Sequence, residues 1–284
     1  MDCPEKKNVS NNSQRFMLGS GSLKKPKMII FDYGGTILYE PGFSFLNGER
    51  AVFEHVVKNP RNVTPEQIND FNERIFGESG AAREVGFELH HNQMLRMKYE
   101  FNQIELDVSY EEAEQILWDN VSPMTAECRM PHVVEMLDFL KAQGIRSGVI
   151  SNMGWSGNAL KRRINTILPE NQFEFIIASS EYGFRKPNPL IFELALVKAG
   201  LKPEEVWFCG DTFDADISGA SGAGIFPIFY QGTSGTDDGP KRKPKLEQGG
   251  REQAAAQNAA SLKNGTDFIT IYDWLELVDL VKGL

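Results

Sequence analysis

Two rhythms divide the chain. From Glu49 to Asn120 apolar residues recur at helical spacing, as in Val52, Val56 and Val57 or Ile116 and Leu117, and no alternating strand pattern interrupts them. Thr64-Pro65-Glu66-Gln67 and Ser109-Tyr110-Glu111-Glu112 both fit a capping box, the first with proline at the first helical position. Helices are therefore predicted to begin near Gly48, Thr64, Ala82 and Ser109. After Pro131 short strand-like and helix-like stretches alternate, with glycine where helices should stop. The pattern predicts a helix over 131–143 closed by Gly144, a strand over 145–151, a helix over 156–168 and a strand over 173–179. A helix over 189–199 stopped by Gly200 follows, then strand 206–209, a short helix over 217–223, strand 225–230, and a closing strand and helix at 268–272 and 274–281. Such alternation implies right-handed βαβ crossovers and a parallel sheet, hence an α/β fold. The run Met28-Ile29-Ile30-Phe31 is continuously apolar, as in a strand covered on both faces, so it joins the same sheet and the helical block is an insertion.

These periodicities place a tail over 1–24, a core built from 25–40 and 126–284, and a helical unit over 41–125. The stretch 232–265 is rich in Gly, Lys, Gln and Ala and longer than a compact domain normally tolerates without structure of its own. It is expected to be a mobile loop with a transient helix over 251–262, a substrate or partner contact being the alternative. The tail is expected to be disordered. No internal repeat is present.

Bulk composition narrows the function classes. With 284 residues the chain has room for one large domain and a smaller one. A net charge of -9 argues against a nucleic-acid or anionic-membrane surface, either of which needs a basic face. Residues 1–21 are polar and lack the hydrophobic stretch of a secretion signal, and no apolar run reaches the length of a membrane span, so a cytosolic protein is expected. Cys3, Cys128 and Cys209 are odd in number and widely spaced, which argues against a disulfide framework. No pair among His55, His90, His91 and His132 has the i, i+4 spacing of a helical metal site, and all four read as helix-surface residues. Oligomeric state leaves no mark on the sequence.

Candidate chemistry gathers at predicted strand ends, where ligands of open α/β sheets bind. Asp32 ends the first strand and is followed by Gly34 and Gly35, which allow a sharp turn and close approach to a ligand, and by the hydroxyl of Thr36. Ser151-Asn152 ends another strand, Lys186 lies in Gly183-Phe184-Arg185-Lys186-Pro187, and Gly210-Asp211 with Asp216 ends a third. Taken singly each has an ordinary role in a turn or cap. Together they suit phosphoryl transfer. A carboxylate can attack phosphorus and form an aspartyl-phosphate. Oxygen ligands from Asp32, Asp211 and Asp216, with the carbonyl of Gly34, suit Mg²⁺. Lys186, the Ser151 hydroxyl and nearby backbone N–H groups would hold the phosphoryl oxygens.

By these segments the chain resembles the haloacid dehalogenase (HAD) superfamily of aspartate-nucleophile hydrolases. The family's DxDxT is matched by Asp32-Tyr33-Gly34-Gly35-Thr36, its second-motif serine by Ser151, its third-motif lysine by Lys186, and its GDxxxxD by Gly210, Asp211 and Asp216. The resemblance covers residues 28–217 and implies a Rossmann-like core with an α-helical cap inserted after the first motif. It implies Asp32 and Lys186 as catalytic residues, Gly35, Thr36, Ser151, Asn152 and Lys186 at the phosphate, and Asp32, Gly34, Asp211 and Asp216 at Mg²⁺. A small phosphorylated substrate is expected, with neither nucleic acid nor membrane as partner.

One departure limits that expectation. Most phosphatases of the family carry an aspartate two residues after the nucleophile, which protonates the leaving group; Gly34 cannot. General acid–base assistance is worth about 10²–10⁴ in rate, so its loss restricts the chemistry. The site could act on esters with good leaving groups, or borrow an acid such as Glu40, which otherwise reads as a solvated glutamate. It could resemble phosphonoacetaldehyde hydrolase, with Lys58 or Lys98 forming a Schiff base for C–P cleavage, although both read as helix-surface lysines. Dehalogenation of a 2-haloacid leaves Asp211 and Asp216 unexplained. A catalytically weak, phosphate-binding regulatory protein is the reading outside enzymology. Among possible substrate contacts, Phe43, Phe45, Arg50, Arg83 and Tyr99 show no diagnostic spacing.

Overall fold

A computed structural model describes residues 23–233 and 268–284. The tail and the long loop, with the helix expected over 251–262, lie outside the described residues apart from their edges.

Strand β1 (Met28–Phe31) is buried along its whole length, as its uninterrupted apolar run requires. β4 (Arg146–Ser151) and β6 (Val206–Gly210) pair with it in parallel on either side. β5 (Phe173–Ala178), β7 (Phe226–Tyr230) and β8 (Ile269–Ile271) extend the sheet to the order β5-β4-β1-β6-β7-β8. Side chains alternate between its faces. Ile29 and Phe31 belong to the cluster covered by α5 (Val133–Ala142), α6 (Gly157–Ile167) and α9 (Trp274–Lys282). Met28 and Ile30 face the other way, toward α7 (Pro189–Ala199) and α8 (Gly219–Gly222). The chain leaves β1 to build the sheet on one side and then crosses back to the other. The carboxyl end of β1 is therefore a switch point, where neighbouring connections diverge and open a crevice.

Between β1 and α5 run α1 (Phe45–Phe53), α2 (Pro65–Glu84), α3 (His91–Phe101) and α4 (Tyr110–Val121). Both capping boxes form as read, at Thr64 and Ser109. The start expected near Ala82 does not: α2 continues to Glu84, and the next helix is capped at His90, whose Nδ1 accepts from the N–H of Asn92 at 3.1 Å. No capping side chain stands at 81–82, so nothing there offers the backbone an exit. A second correction is a short antiparallel pair, β2 (Val56–Lys58) with β3 (Glu105–Leu106), inside a segment read as wholly helical. Such strands are too short to show an alternating pattern. The helix expected over 217–223 starts earlier, as a π-helical turn over Phe213–Ser218 that runs into α8.

Buried carboxylates hold this helical unit against the sheet ends. Glu114 of α4 accepts from the N–H of Ser156 at 2.9 Å and from its hydroxyl at 2.5 Å. Glu88 pairs with Arg83 at 2.9 Å and Arg185 at 3.2 Å. Burial pushes the Glu114 carboxyl above its ordinary range.

Two residues read as surface groups are interior ones. Lys98 is fully buried and pairs with Glu49, which also accepts from the hydroxyl of Tyr99 at 2.8 Å. Burial lowers the Lys98 pKa and the Glu49 charge opposes that shift. His91 is buried against the ring of Trp155, with centroids 4.1 Å apart. Burial holds its imidazole well below the ordinary value of 6.5, and the charge of Lys98 adds to the effect.

His91 thereby generates a prediction. Below pH 6.5 the unfolded chain takes up a proton that the folded chain refuses, so folding stability falls as pH falls through this range. Denaturant titrations at pH 5.5 and 7.5 should show wild type losing up to about 1.4 kcal/mol more than His91→Phe for each pH unit below that value. Equal losses in the two proteins would contradict the burial assignment.

Candidate active site

The turn after β1 is built from backbone constraints. The Asp32 N–H donates to the carbonyl of Cys209 at 2.8 Å, carrying the sheet ladder one residue beyond the strand. Gly35 then takes a φ of +73°, favoured only for glycine, and its N–H donates to the Leu38 carbonyl at 2.6 Å. From the opposite side the Trp274 indole donates to the carbonyl of Thr36 at 3.2 Å. The Asp32 carboxylate is thus set at the carboxyl end of a central strand by contacts on both sides.

Two other strand ends converge on it. After β6, Asp216 is fixed by its Oδ2, which accepts from the N–H of Thr212 at 2.8 Å. A Cβ at Gly210 would overlap the Asp216 carboxyl, so that glycine is required by close approach. After β4, the Asn152 amide clasps the backbone of Lys186 at both ends, donating to its carbonyl at 2.8 Å and accepting from its N–H at 2.7 Å. Lys186 Nζ, almost fully buried, then lies 2.6 Å from Asp32 Oδ1, 2.6 Å from Asp216 Oδ1 and 3.0 Å from the carbonyl of Ile150. Burial alone would lower the Lys186 pKa; the two carboxylates outweigh it and the net shift is upward. Asp216 is raised by burial and by the Asp32 charge, against the pull of Lys186.

Carboxylate oxygens of Asp32, Asp211 and Asp216 come within 4.8 Å of one another. Three clustered carboxylates facing one ammonium carry excess negative charge, and Asp216 Oδ1 touches Lys186 without an aligned hydrogen bond. This all-oxygen set fits a hard divalent cation such as Mg²⁺.

The cluster floors a cleft of about 440 Å³ beneath the helical unit. Of the residues singled out from the sequence, Asp32, Gly34, Gly35, Ser151, Asn152, Lys186, Asp211 and Asp216 all line it. Thr36 does not. Its hydroxyl is buried below the floor, donating to Asp32 Oδ2 at 3.4 Å and Asp211 Oδ1 at 3.2 Å, so it orients carboxylates rather than facing a ligand. The Asn152 side chain is likewise committed to Lys186. Glu40 is not a solvated glutamate but a cleft residue held by Tyr33, Trp118 and Arg163. Phe43 lines the cleft and Phe45 packs edge-on behind it. Arg50 pairs with Glu66 on the exterior, Arg83 with Glu88, and Tyr99 with Glu49, and none of these lines the cleft.

Tyr39, Trp118, Trp155 and Arg185 also line the cleft and were not foreseen. Arg185 and Trp155 lie one and four residues from motif positions, a proximity that could have flagged them. Trp118 carries no such signal, because on α4 it reads as one more apolar core position.

Comparison with known proteins agrees with this geometry. Residues 26–224 match the family model described as haloacid dehalogenase-like hydrolase. The chain is 27% identical to the glyceraldehyde 3-phosphate phosphatase of Methanothermobacter thermautotrophicus over 206 residues, 72% of this chain and 84% of that one. Its fold is similar to a crystal structure of a HAD phosphatase from Thermococcus onnurineus, with a TM-score of 0.54 and 18% identity over 90% of this chain and 98% of that one. It is also similar to a 2-haloacid dehalogenase from Pseudomonas syringae, with a TM-score of 0.53 and 18% identity over 91% and 99% of the two chains. At such identity these structures speak for the fold alone. The family match, the six-stranded parallel sheet and the convergence of four motif segments lead to one conclusion: this chain belongs to the haloacid dehalogenase-like hydrolases.

Proposed function

We propose that the protein is a Mg²⁺-dependent phosphatase of small phosphorylated metabolites, working through an aspartyl-phosphate on Asp32, with the helices over 41–125 acting as its cap. The observation that carries this reading is the buried ammonium of Lys186 between Asp32 and Asp216, beside Asp211. Relatives named as phosphatases support it.

Asp32 would attack phosphorus as the bond to the leaving oxygen breaks; water would then attack the same phosphorus, releasing inorganic phosphate and the free carboxylate. Lys186 would offset charge on the nucleophile and on the phosphoryl oxygens, and the Ser151 hydroxyl, which belongs to a residue lining the cleft, would bind those oxygens together with nearby backbone N–H groups. Mg²⁺, held by Asp32, Asp211, Asp216 and the Gly34 carbonyl, would supply positive charge that lets two anions meet. With glycine at position 34 in place of the usual acid, the leaving oxygen would depart with its own stability or take a proton from solvent.

The competing readings find less support. Lys58 pairs with Glu105 and Lys98 with Glu49, and neither lines the cleft, so neither of these two lysines stands where C–P cleavage would need an amine. Dehalogenation would leave Asp211 and Asp216 facing an anionic substrate. No helix among the described residues is long and apolar enough to cross a membrane. A cytosolic setting would suit a metabolite substrate.

The nucleophile is tested by Asp32→Asn, which should cut hydrolysis of an aryl phosphate by about three or more powers of ten while leaving the melting temperature near that of wild type. Full activity in the variant would exclude Asp32 as nucleophile. Dialysis against EDTA should abolish turnover and Mg²⁺ should restore it; activity indifferent to both would remove the metal from the account. A Cβ at Gly34 would meet nothing within 4 Å, so Gly34→Asp fits without backbone strain. That variant should raise kcat for alkyl phosphates relative to aryl phosphates by about tenfold or more, within the range of general acid assistance. An unchanged ratio would contradict the missing-acid explanation.

A further inference from the structure

Glu40 is held in an unusual way. Its Oε1 accepts from the Tyr33 hydroxyl at 2.9 Å and the Trp118 indole at 3.0 Å, and the Arg163 Nε lies 3.1 Å from the same oxygen. Arg163 is itself buried and fixed, donating to the carbonyls of Ser122 at 3.2 Å and Pro123 at 2.8 Å, with its guanidinium 5.2 Å from the Trp118 ring centre. Two hydrogen bonds and an ion pair on one oxygen lock the side chain in place, the Arg163 Nε–H itself donating to the Tyr33 hydroxyl at 3.1 Å. Oε2 accepts no hydrogen bond among the described residues, and Glu40 lines the same cleft as Asp32 and Gly34.

An ionised carboxylate accepts hydrogen bonds through both oxygens, and those from charged or hydroxyl donors are strong. The Glu40 carboxylate lines the cleft into which a substrate bound at Asp32 would extend, and the bare Gly34 leaves open space beside the nucleophile. A hydroxyl or ammonium there gains a charge-assisted hydrogen bond. A carboxylate or second phosphate meets like charge.

We propose that Glu40 is a specificity-determining residue whose Oε2 binds an O–H or N–H on the leaving alcohol, selecting phosphomonoesters of polyols or amino alcohols over those of hydroxy acids. This rests on the phosphatase reading, and the experiment separates the two. The wild-type enzyme with Mg²⁺ is assayed on 2-aminoethyl, 2-hydroxyethyl, propyl and carboxymethyl phosphates, with p-nitrophenyl phosphate as reference. Affinities read as inhibition of p-nitrophenyl phosphate turnover, which carry no leaving-group effect, should be higher for the aminoethyl and hydroxyethyl esters than for the propyl ester by about tenfold or more, as a hydrogen bond to a charged group provides. The carboxymethyl ester should fall below propyl. A lead of the aminoethyl ester over the hydroxyethyl ester assigns the site to amino alcohols, and the reverse to polyols.

In Glu40→Gln, whose amide oxygen can still accept from Tyr33 and Trp118, the affinity ratio of aminoethyl to carboxymethyl should drop at least about tenfold. A flat ranking in the wild type, with p-nitrophenyl phosphate turned over, would overturn the role of Glu40 and leave the phosphatase standing. Should p-nitrophenyl phosphate and all four esters go unhydrolysed, the phosphatase reading falls and takes this inference with it. The wild-type ranking decides the matter even if the variant does not fold.

Discussion

Everything at the carboxyl ends of β1 and β6 is organised around one buried positive charge. An ammonium removed from water is costly unless its charge is answered nearby, and Lys186 is answered by Asp32 on one side and Asp216 on the other. Each carboxylate would in turn be costly without the lysine. The three groups stand on different segments, so their mutual need fixes the distance between the ends of β1 and β6 and the loop that carries Lys186. Supporting contacts serve this triad. Asn152 clamps the lysine's backbone, the Thr212 N–H aims Asp216, and Thr36 reaches up to Asp32 and Asp211.

Above this floor the cleft has a different chemistry. Trp118 and Trp155 stack with ring centres 4.7 Å apart, Arg163 lies against one end of the pair and His91 against the other. The stack joins the helical unit to the loop that leads into α6 and lines the cleft, where Glu40 is the one carboxylate outside the Asp32, Asp211 and Asp216 cluster among the lining residues. Efficiency would depend on the quality of the leaving group and on contacts made by the lining residues, because the usual acid is absent at Gly34.

Much of this was written in short-range pattern. The strands from β4 to β8 were readable because each is a brief apolar run between helices closed by glycine, and β1 because it is apolar on both faces. The motif carboxylates were readable because they stand where such runs end. What escaped depends on distant partners. Lys98 and His91 look like surface positions until Glu49 and Trp155 arrive from elsewhere in the chain. Glu40 looks solvated until Tyr33, Trp118 and Arg163 converge on it, the last 123 residues further along. Thr36 and Asn152 were recognised as site residues, yet their hydrogen bonds turn inward to other side chains and backbone, a distinction local sequence does not carry. The β2–β3 pair was too short to announce itself.

Covalent attachment of phosphate to Asp32 is the claim on which the chemistry turns. Rapid acid quenching during turnover of an aryl phosphate, borohydride reduction and peptide mass spectrometry should find position 32 converted to homoserine, the product expected of a reduced acyl phosphate. An unmodified Asp32 peptide from enzyme shown to be turning over at the moment of quenching would contradict the account.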